Sequence, residues 1–311
     1  MADIEQVAIE RLKAASEMSL QHYGLPLVIT DSGGKDSSVC KELALRAGIP
    51  FEIMHNHTTA DAPETVRFVR SEAKRFEELG IKYTINMPMY KGQRTSMWGL
   101  IPQKLMPPTR LVRYCCSILK ENGGAGRFIT TGVRWDESAS RKNNRGIYER
   151  IAADKKKRVI LNNDNDDKRR LFENCRLKAK RVVNPIIDWK DDDVWGFLGE
   201  GTQVLCGTHN VTCNSIPVNP LYDEGWCRVG CVGCPMAGKK GRVAEFIRWP
   251  KYKQLYINAF DNMLKERERI GKLEGSWRMG GRGIDVFNWW MEYDILPGQM
   301  NIDDFLEEEN P

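Results

Sequence analysis

The sequence predicts an α/β fold: a Rossmann-like parallel sheet with helices on both faces, followed by a cysteine-containing, mostly helical C-terminal region. Two observations predict it. Short apolar runs of strand length alternate with amphipathic runs of helix length over the first 130 residues or so. The polar motifs of this half follow the ends of those strands, where ligands sit in such sheets.

Ile4, Val7, Ala8, Leu12, Ala15 and Leu20 recur at mostly helical spacing, so an amphipathic helix over 4–22 opens the chain and Gly24 and Pro26 end it. Leu27–Thr30 is a short buried strand, followed by the turn Ser32-Gly33-Gly34-Lys35-Asp36-Ser37-Ser38. Ser37–Leu45 is a helix closed near Gly48. Phe51–Met54 is a second strand, and Ala62–Leu79 a second helix with Pro63 in its first turn. Ile81–Asn86 and Phe128–Thr131 complete the strands, the last ending at Gly132. Asp191–Leu198 is an acid-started helix, since carboxylates favour the positive end of the helix dipole. A cysteine-rich segment and a largely helical stretch, Val243–Met291, follow; the acidic end Asp303–Glu309 is expected to fray. The expected division is an N-terminal helix at 1–24, a nucleotide-binding domain at 25–200 and a helical, cysteine-containing region at 201–311.

At 311 residues, with 41% hydrophobic and 29% charged residues, the chain has the composition of a globular enzyme. No run approaches the roughly 18 apolar residues of a membrane span, and the N-terminus lacks a signal-peptide layout. A cytoplasmic protein with no membrane partner is expected. The net charge of +5 is small, but basic residues crowd between Arg141 and Arg181, with Lys155-Lys156-Lys157-Arg158 and Lys168-Arg169-Arg170 as the densest runs. Such clustering favours phosphates and admits a nucleic-acid substrate. Interleaved Asp164, Asp166 and Asp167 also allow a plain solvated insertion.

The glycine turn carries the strongest chemical signal. Between a strand and a helix it aims successive backbone N–H groups at one spot, with hydroxyls from Ser32, Ser37 and Ser38 and the charge of Lys35. A triphosphate fits such a nest, and a departing pyrophosphate fits it better. The longer Walker spacing is not present. Nine cysteines are many where disulfides do not persist, so metal or redox chemistry is expected. The pair Cys115-Cys116 and the later Cys231-x-x-Cys234 can supply four thiolates to one centre, suited to iron–sulfur or tetrahedral zinc. Cys227 and Cys175 compete as ligands, while Cys40, Cys206 and Cys213 read as buried or incidental thiols.

The glycine string resembles the PP-loop of the adenine nucleotide α-hydrolase (HUP-type) superfamily, in its phosphoadenosine-phosphosulfate reductase branch. Four further segments are similar to that branch: His57–Thr65, Tyr114–Lys120, Gly132–Arg141, and Asn184–Trp189 with Asp193-Val194-Trp195. The resemblance covers about residues 25–235. It implies an adenine nucleotide held by Ser32, Gly33, Gly34, Lys35, Asp36, Ser37, Ser38, His57, Asp61, Lys120, Gly132, Arg134, Ser138 and Arg141. Lys35, Asp36, Arg134 and Arg141 are the catalytic candidates, the arginines as phosphate or sulfate forks. Asp61 and Glu64 are candidates for magnesium or a ribose hydroxyl; Glu64 also suits a first-turn helix carboxylate, and His55 and His57 suit packing or hydrogen bonding. In relatives that carry a cluster, a tandem Cys-Cys and a later Cys-x-x-Cys bind four irons and four sulfurs, which here implies Cys115, Cys116, Cys231 and Cys234. A zinc staple is the alternative.

Two departures matter. The reductases typically finish with a mobile cysteine, whereas no cysteine follows Cys234 here, and the aromatics Trp249, Tyr252, Tyr256, Phe260, Trp277, Phe287, Trp289 and Trp290 read as helical core. The reductases' glycine turn has usually drifted, whereas this one is complete. The expectation is therefore an enzyme that cleaves MgATP between its α and β phosphates to activate a substrate for sulfur transfer, as in nucleic-acid thiolation or DNA phosphorothioation, with a sulfur-donor protein as partner. A sulfonucleotide reductase and a non-catalytic nucleotide-sensing, nucleic-acid-binding module are the alternatives.

Overall fold

The structure, a computed structural model, describes residues 2–121, 123–124, 126–151, 158–161, 180–199, 202–206, 209–213, 216–275 and 280–293. Lys155-Lys156-Lys157, Lys168-Arg169-Arg170, Cys175, Trp277 and Asp303–Glu309 lie outside them. The chain opens with α1 (Ala2–Tyr23), β1 (Leu27–Asp31), α2 (Lys35–Ala47), β2 (Phe51–Asn56), α3 (Pro63–Glu78) and β3 (Tyr83–Asn86). A small hairpin, β4 (Met89–Tyr90) and β5 (Gln93–Arg94), precedes α4 (Met97–Lys104). Next come β6 (Phe128–Thr130), α5 (Ala139–Asn144), β7 (Tyr148–Ile151), β8 (Arg158–Leu161), β9 (Lys180–Val183) and α6 (Asp191–Gly199). A hairpin of β10 (Thr202–Cys206) and β11 (His209–Cys213) is followed by α7 (Gly238–Arg248), α8 (Pro250–Arg269) and α9 (Gly283–Tyr293).

These elements form two compact units that share the chain in alternation. The first takes residues 1–56, 63–86 and 122–229, and the second takes 57–62, 87–121 and 230–311. No helix among the described residues is long and apolar enough to cross a membrane.

The first unit is built on a seven-stranded sheet in the order β3-β2-β1-β6-β9-β7-β8. Its first five strands are parallel, and β7 and β8 add an antiparallel edge. The period-two alternation of the strands sets its faces. Leu27, Ile29, Ile53, Phe128 and Val183 join the main core with Leu12 of α1 and Val39 and Leu43 of α2, while Val28, Ile129 and Val182 form a smaller cluster with Met54 against it. The chain steps outward from β1 to β2 and β3, then returns on the other side of β1 to β6 and β9. That reversal places a crevice beyond the carboxyl ends of β1 and β6.

In the second unit α4 and α9 pack on α8. Its centre is aromatic: Tyr256 and Trp290 have ring centroids 4.7 Å apart, Phe246 and Phe287 5.2 Å, and Phe260 and Trp290 5.5 Å. Trp249, Tyr256, Phe260, Phe287 and Trp290 are buried, in keeping with a helical core. The expected stretch 243–291 is broken at Trp249, where Pro250 starts a new helix, and again between α8 and α9.

Candidate functional site

The glycine turn leaves β1 at Asp31 and enters α2 at Lys35, so the amide end of α2 opens at the crevice. Gly33 has φ +73°, and a Cβ there would stand 2.8 Å from Thr65 Cγ2. Only glycine fits that conformation in that space. Asn219 closes over it, its side-chain amide donating to the Gly33 carbonyl and the Thr65 hydroxyl at 3.0 Å each. The Lys35 N–H donates to the Tyr222 hydroxyl at 3.0 Å, and burial pushes that phenol up to about 12. The Trp195 ring lies edge-on to Tyr222 at 5.2 Å.

Beneath the turn lies a network that sequence reasoning missed. The buried Asp31 carboxylate accepts from the Gly33 N–H (2.7 Å), the Ser37 hydroxyl (2.9 Å), the Lys41 ammonium (2.7 Å) and the Tyr83 hydroxyl (2.6 Å). Lys41, fully buried, also reaches Glu72 at 2.8 Å, and Arg75 joins Glu72 and Glu42. Burial alone would raise Asp31, but Lys41 and the other donors outweigh it and hold the carboxyl well below its usual range. Burial opposes the Lys41 charge too, and Asp31 and Glu72 overcome it, raising that amine. The signal was available: Leu27, Ile29 and Asp31 share one strand parity, which puts Asp31 on the core side.

The loop after β6 supplies the other wall. Gly132 lies so close to α2 that a Cβ would stand 2.8 Å from the Asp36 backbone carbonyl. Arg134, with its side chain only 3% exposed, donates from Nε to Asp36 at 2.6 Å and from Nη2 to Asp191 Oδ1 at 2.8 Å. Lys35 Nζ reaches the same Asp191 oxygen at 2.9 Å. Ser32 through Ser38, Gly132 and Arg134 are thus brought together, with Asp191, Tyr222 and Asn219 as neighbours that sequence reasoning did not assign. Ser38 Oγ is buried with no hydrogen-bond partner among the described residues. Ser138 and Arg141 act locally: Ser138 caps α5 by accepting from the Arg141 N–H at 3.2 Å, and the Arg141 guanidinium is bound to Glu137. Glu64 pairs with Arg67 at 3.3 Å in the first turn of α3, and His55 Nδ1 hydrogen-bonds the Asp31 carbonyl at 2.9 Å.

The second unit carries the four candidate ligand cysteines. Cys116–Lys120 form a single π-helical turn, closed by the Glu121 N–H donating to the Cys116 carbonyl at 2.9 Å. Cys231 bridges to Asp61, and the turn that follows it is built on Gly233, where a Cβ would stand 2.5 Å from Phe246. Cys115, Cys116, Cys231 and Cys234 then line one cavity with Thr58, Lys120 and Tyr256. Cys227 is exposed, and Cys40 is buried in α2. The hydrogen bond shared with Cys115, aided by Arg113, draws the Cys116 thiol down to about 5, whereas burial pushes Cys231 up to about 11. The cysteine sulfurs and Asp61 raise Lys120, which places this candidate phosphate-binding cation beside thiols. His57 Nδ1 lies 3.5 Å from Asp61, whose carboxylate also accepts from the Thr58 N–H at 2.9 Å.

Four soft donors around one cavity fit a thiolate-bound centre. Tetrahedral zinc, about 2.3 Å from each sulfur, would bring sulfurs to about 3.8 Å from one another. Such a donor set suits an iron–sulfur cluster or a single zinc ion.

Residues 26–237 match the family described as the phosphoadenosine phosphosulfate reductase domain. The chain belongs to this family. A protein of Methanocaldococcus jannaschii of undescribed activity is 29% identical over 79% of this chain and 50% of its own length. An adenosine 5'-phosphosulfate reductase of Oceanobacillus iheyensis is 23% identical over 73% of this chain and 78% of its own. The chain thus spans about half the length of the first of these relatives. Among solved structures, the U34-tRNA thiolase of Methanococcus maripaludis with its 4Fe–4S cluster aligns with 87% of this chain and 83% of its own at 15% identity and a TM-score of 0.38. In this phosphoadenosine phosphosulfate reductase domain, the family's matched span includes the glycine turn, Gly132–Arg141 and all four cavity cysteines.

Proposed function

We propose that the chain is an ATP α–β pyrophosphatase that adenylates a second substrate for sulfur transfer, in nucleic-acid thiolation or DNA phosphorothioation. One observation carries this reading: Lys35 and Arg134 converge on a single oxygen, at 2.9 and 2.8 Å, in front of the amide end of α2. Two buried cations aimed at one oxygen at a helix N-terminus make a site for a phosphoryl oxygen. In the reaction an acceptor oxygen forms a bond to the α-phosphorus and the bond to the β-phosphate oxygen breaks. Pyrophosphate leaves with the electron pair. Lys35 and the turn amides stabilise that leaving charge, Arg134 holds an equatorial oxygen, and the unpartnered Ser38 hydroxyl is a further donor. Magnesium enters with the nucleotide.

Cys115, Cys116, Cys231 and Cys234 would hold a 4Fe–4S centre, which when bound supplies iron able to take up sulfur and exchange single electrons. A sulfur-donor protein and a nucleic-acid acceptor are the partners this reading requires. A sulfonucleotide reductase is the second reading, favoured by the relatives that carry that name.

The test measures pyrophosphate from ATP and sulfite from sulfonucleotides with the same preparation. Pyrophosphate without sulfite is the expected result. Lys35→Ala should lower its rate by about 10²- to 10³-fold, as loss of one preorganised charge does. Sulfite release without ATP cleavage would replace this reading with the second. Nucleotide binding with no turnover in wild type would leave a nucleotide-sensing binding module, whereas turnover abolished by Lys35→Ala or Asp36→Ala with binding partly kept excludes it.

A further inference from the structure

The ligand-facing charges of the glycine turn do not add up to a free cationic pocket. Arg134 faces three carboxylates, Asp36 at 2.6 Å, Asp191 at 2.8 Å and Asp136 at 3.7 Å, and Lys35 shares Asp191 at 2.9 Å. Glu137 also acts on Arg134 while paired to Arg141, so three cations face four carboxylates, a local excess of one negative charge. A polyphosphate approaching that cluster is repelled unless one carboxylate withdraws.

The first three are not equally free to do so. Asp36 is a residue of α2 itself, on the same turn that receives the phosphate, and its side chain is 24% exposed. Asp136 sits at the longest distance and neutralises least. Asp191 is the first residue of α6, its side chain is 52% exposed, and among the described residues its second oxygen accepts from the Trp195 indole N–H at 3.2 Å. The cations it bridges are 10% and 3% exposed, so they stay while the carboxylate moves. A rotation of one half-solvated side chain vacates the oxygen position between Lys35 and Arg134, and water receives the displaced charge at little cost.

We propose that Asp191 is an internal counter-anion of the nucleotide site. It holds Lys35 and Arg134 together in the absence of ligand and yields to a polyphosphate, so it sets the negative charge that a ligand must bring. This rests on the reading that the turn binds a triphosphate. A single phosphate or sulfate gains too little from the two cations to repay the displacement, whereas a pyrophosphate tail engages both and the turn amides together. Asp191 is thus a specificity residue selecting polyphosphate over less charged nucleotides.

The experiment is calorimetric titration of full-length wild type, Asp191→Asn and Asp191→Glu with inorganic pyrophosphate and with ATP, each with and without magnesium. Asn keeps the side-chain shape and removes the charge, and its single oxygen accepts either from the two cations or from Trp195. Pyrophosphate should bind Asp191→Asn about tenfold more tightly, the scale of one partly exposed ion pair, and Asp191→Glu should remain near wild type. Unchanged or weaker pyrophosphate binding by a folded Asp191→Asn protein overturns the proposal. So does a loss confined to magnesium-containing samples, which would make Asp191 a metal ligand. If Asp191→Asn does not fold, Asp191→Ser replaces it under the same criteria. Wild type that binds ATP without this charge dependence leaves the nucleotide reading standing, while wild type that binds neither ligand removes both.

Discussion

Asp31 decides how the glycine turn responds to pH, because its carboxylate ties the Gly33 amide, Ser37, Lys41 and Tyr83 into one buried point. Its folded pKa is depressed, so its contribution is present above the ordinary carboxyl range, near pH 4, and is lost as pH falls through the folded value. Lys41 has the opposite sign: its raised pKa gives a contribution present below about pH 10 and lost as pH rises through the folded value. Urea midpoints should therefore be level between about pH 5 and 9 as far as this pair is concerned and drop below pH 4. Asp31→Asn should flatten that acid limb, and an acid limb as steep as wild type would refute the assignment. Lys41→Met strands two buried carboxylates and should cost about 3–5 kcal/mol in the same measurement. The candidate residues were legible in the string 32–38 because the phosphate-binding chemistry sits there in consecutive order. Lys41, Glu72, Tyr222 and Asn219 were not, since lysine and glutamate usually mark solvent and the others arrive from up to 187 positions away.

At the scale of elements, the site exists because β6 lies beside β1 and its following loop touches the start of α2. The Thr30 hydroxyl donates to the Thr130 carbonyl at 2.7 Å across that pair, and Gly132 meets the Asp36 backbone. Gly132→Ala would have to push the loop or α2 aside by several tenths of an ångström, because the contact is with backbone rather than a flexible side chain. Misplacing Arg134 relative to Lys35 by that route should cost about 10- to 100-fold in kcat with a small change in melting temperature. Steady-state rates beside a melting curve separate the outcomes: unaltered turnover would mean that the approach of β6 to α2 does not set the site. The strands and helices of the first 90 residues were readable because apolar periodicity and glycine or proline stops coincide there. The antiparallel edge β7–β8 and the hairpin β10–β11 were not, because charged and polar residues in those stretches obscure the two-residue alternation that marks a half-buried strand.

For the whole molecule, alternation of the chain between two units explains how cysteines some 115 residues apart come to line one cavity. Their pattern was legible from spacing, but Lys120 belongs to that cavity as well, which no local pattern distinguishes from phosphate binding. Two ligands should accordingly leave two separate footprints in amide hydrogen exchange. ATP should slow exchange at 32–38 and 132–134 in the first unit. Anaerobic reconstitution with iron and sulfide should slow it at 115–121 and 231–234 in the second, with a broad absorption near about 400 nm. Cys231→Ser should abolish the second footprint and the colour, Cys227→Ser should keep both, and neither should move the ATP footprint. Protein that takes up one zinc, stays colourless and protects the same cysteine segments would show that these cysteines hold a single tetrahedral ion, and the redox half of the proposed reaction would fall while the nucleotide half stood.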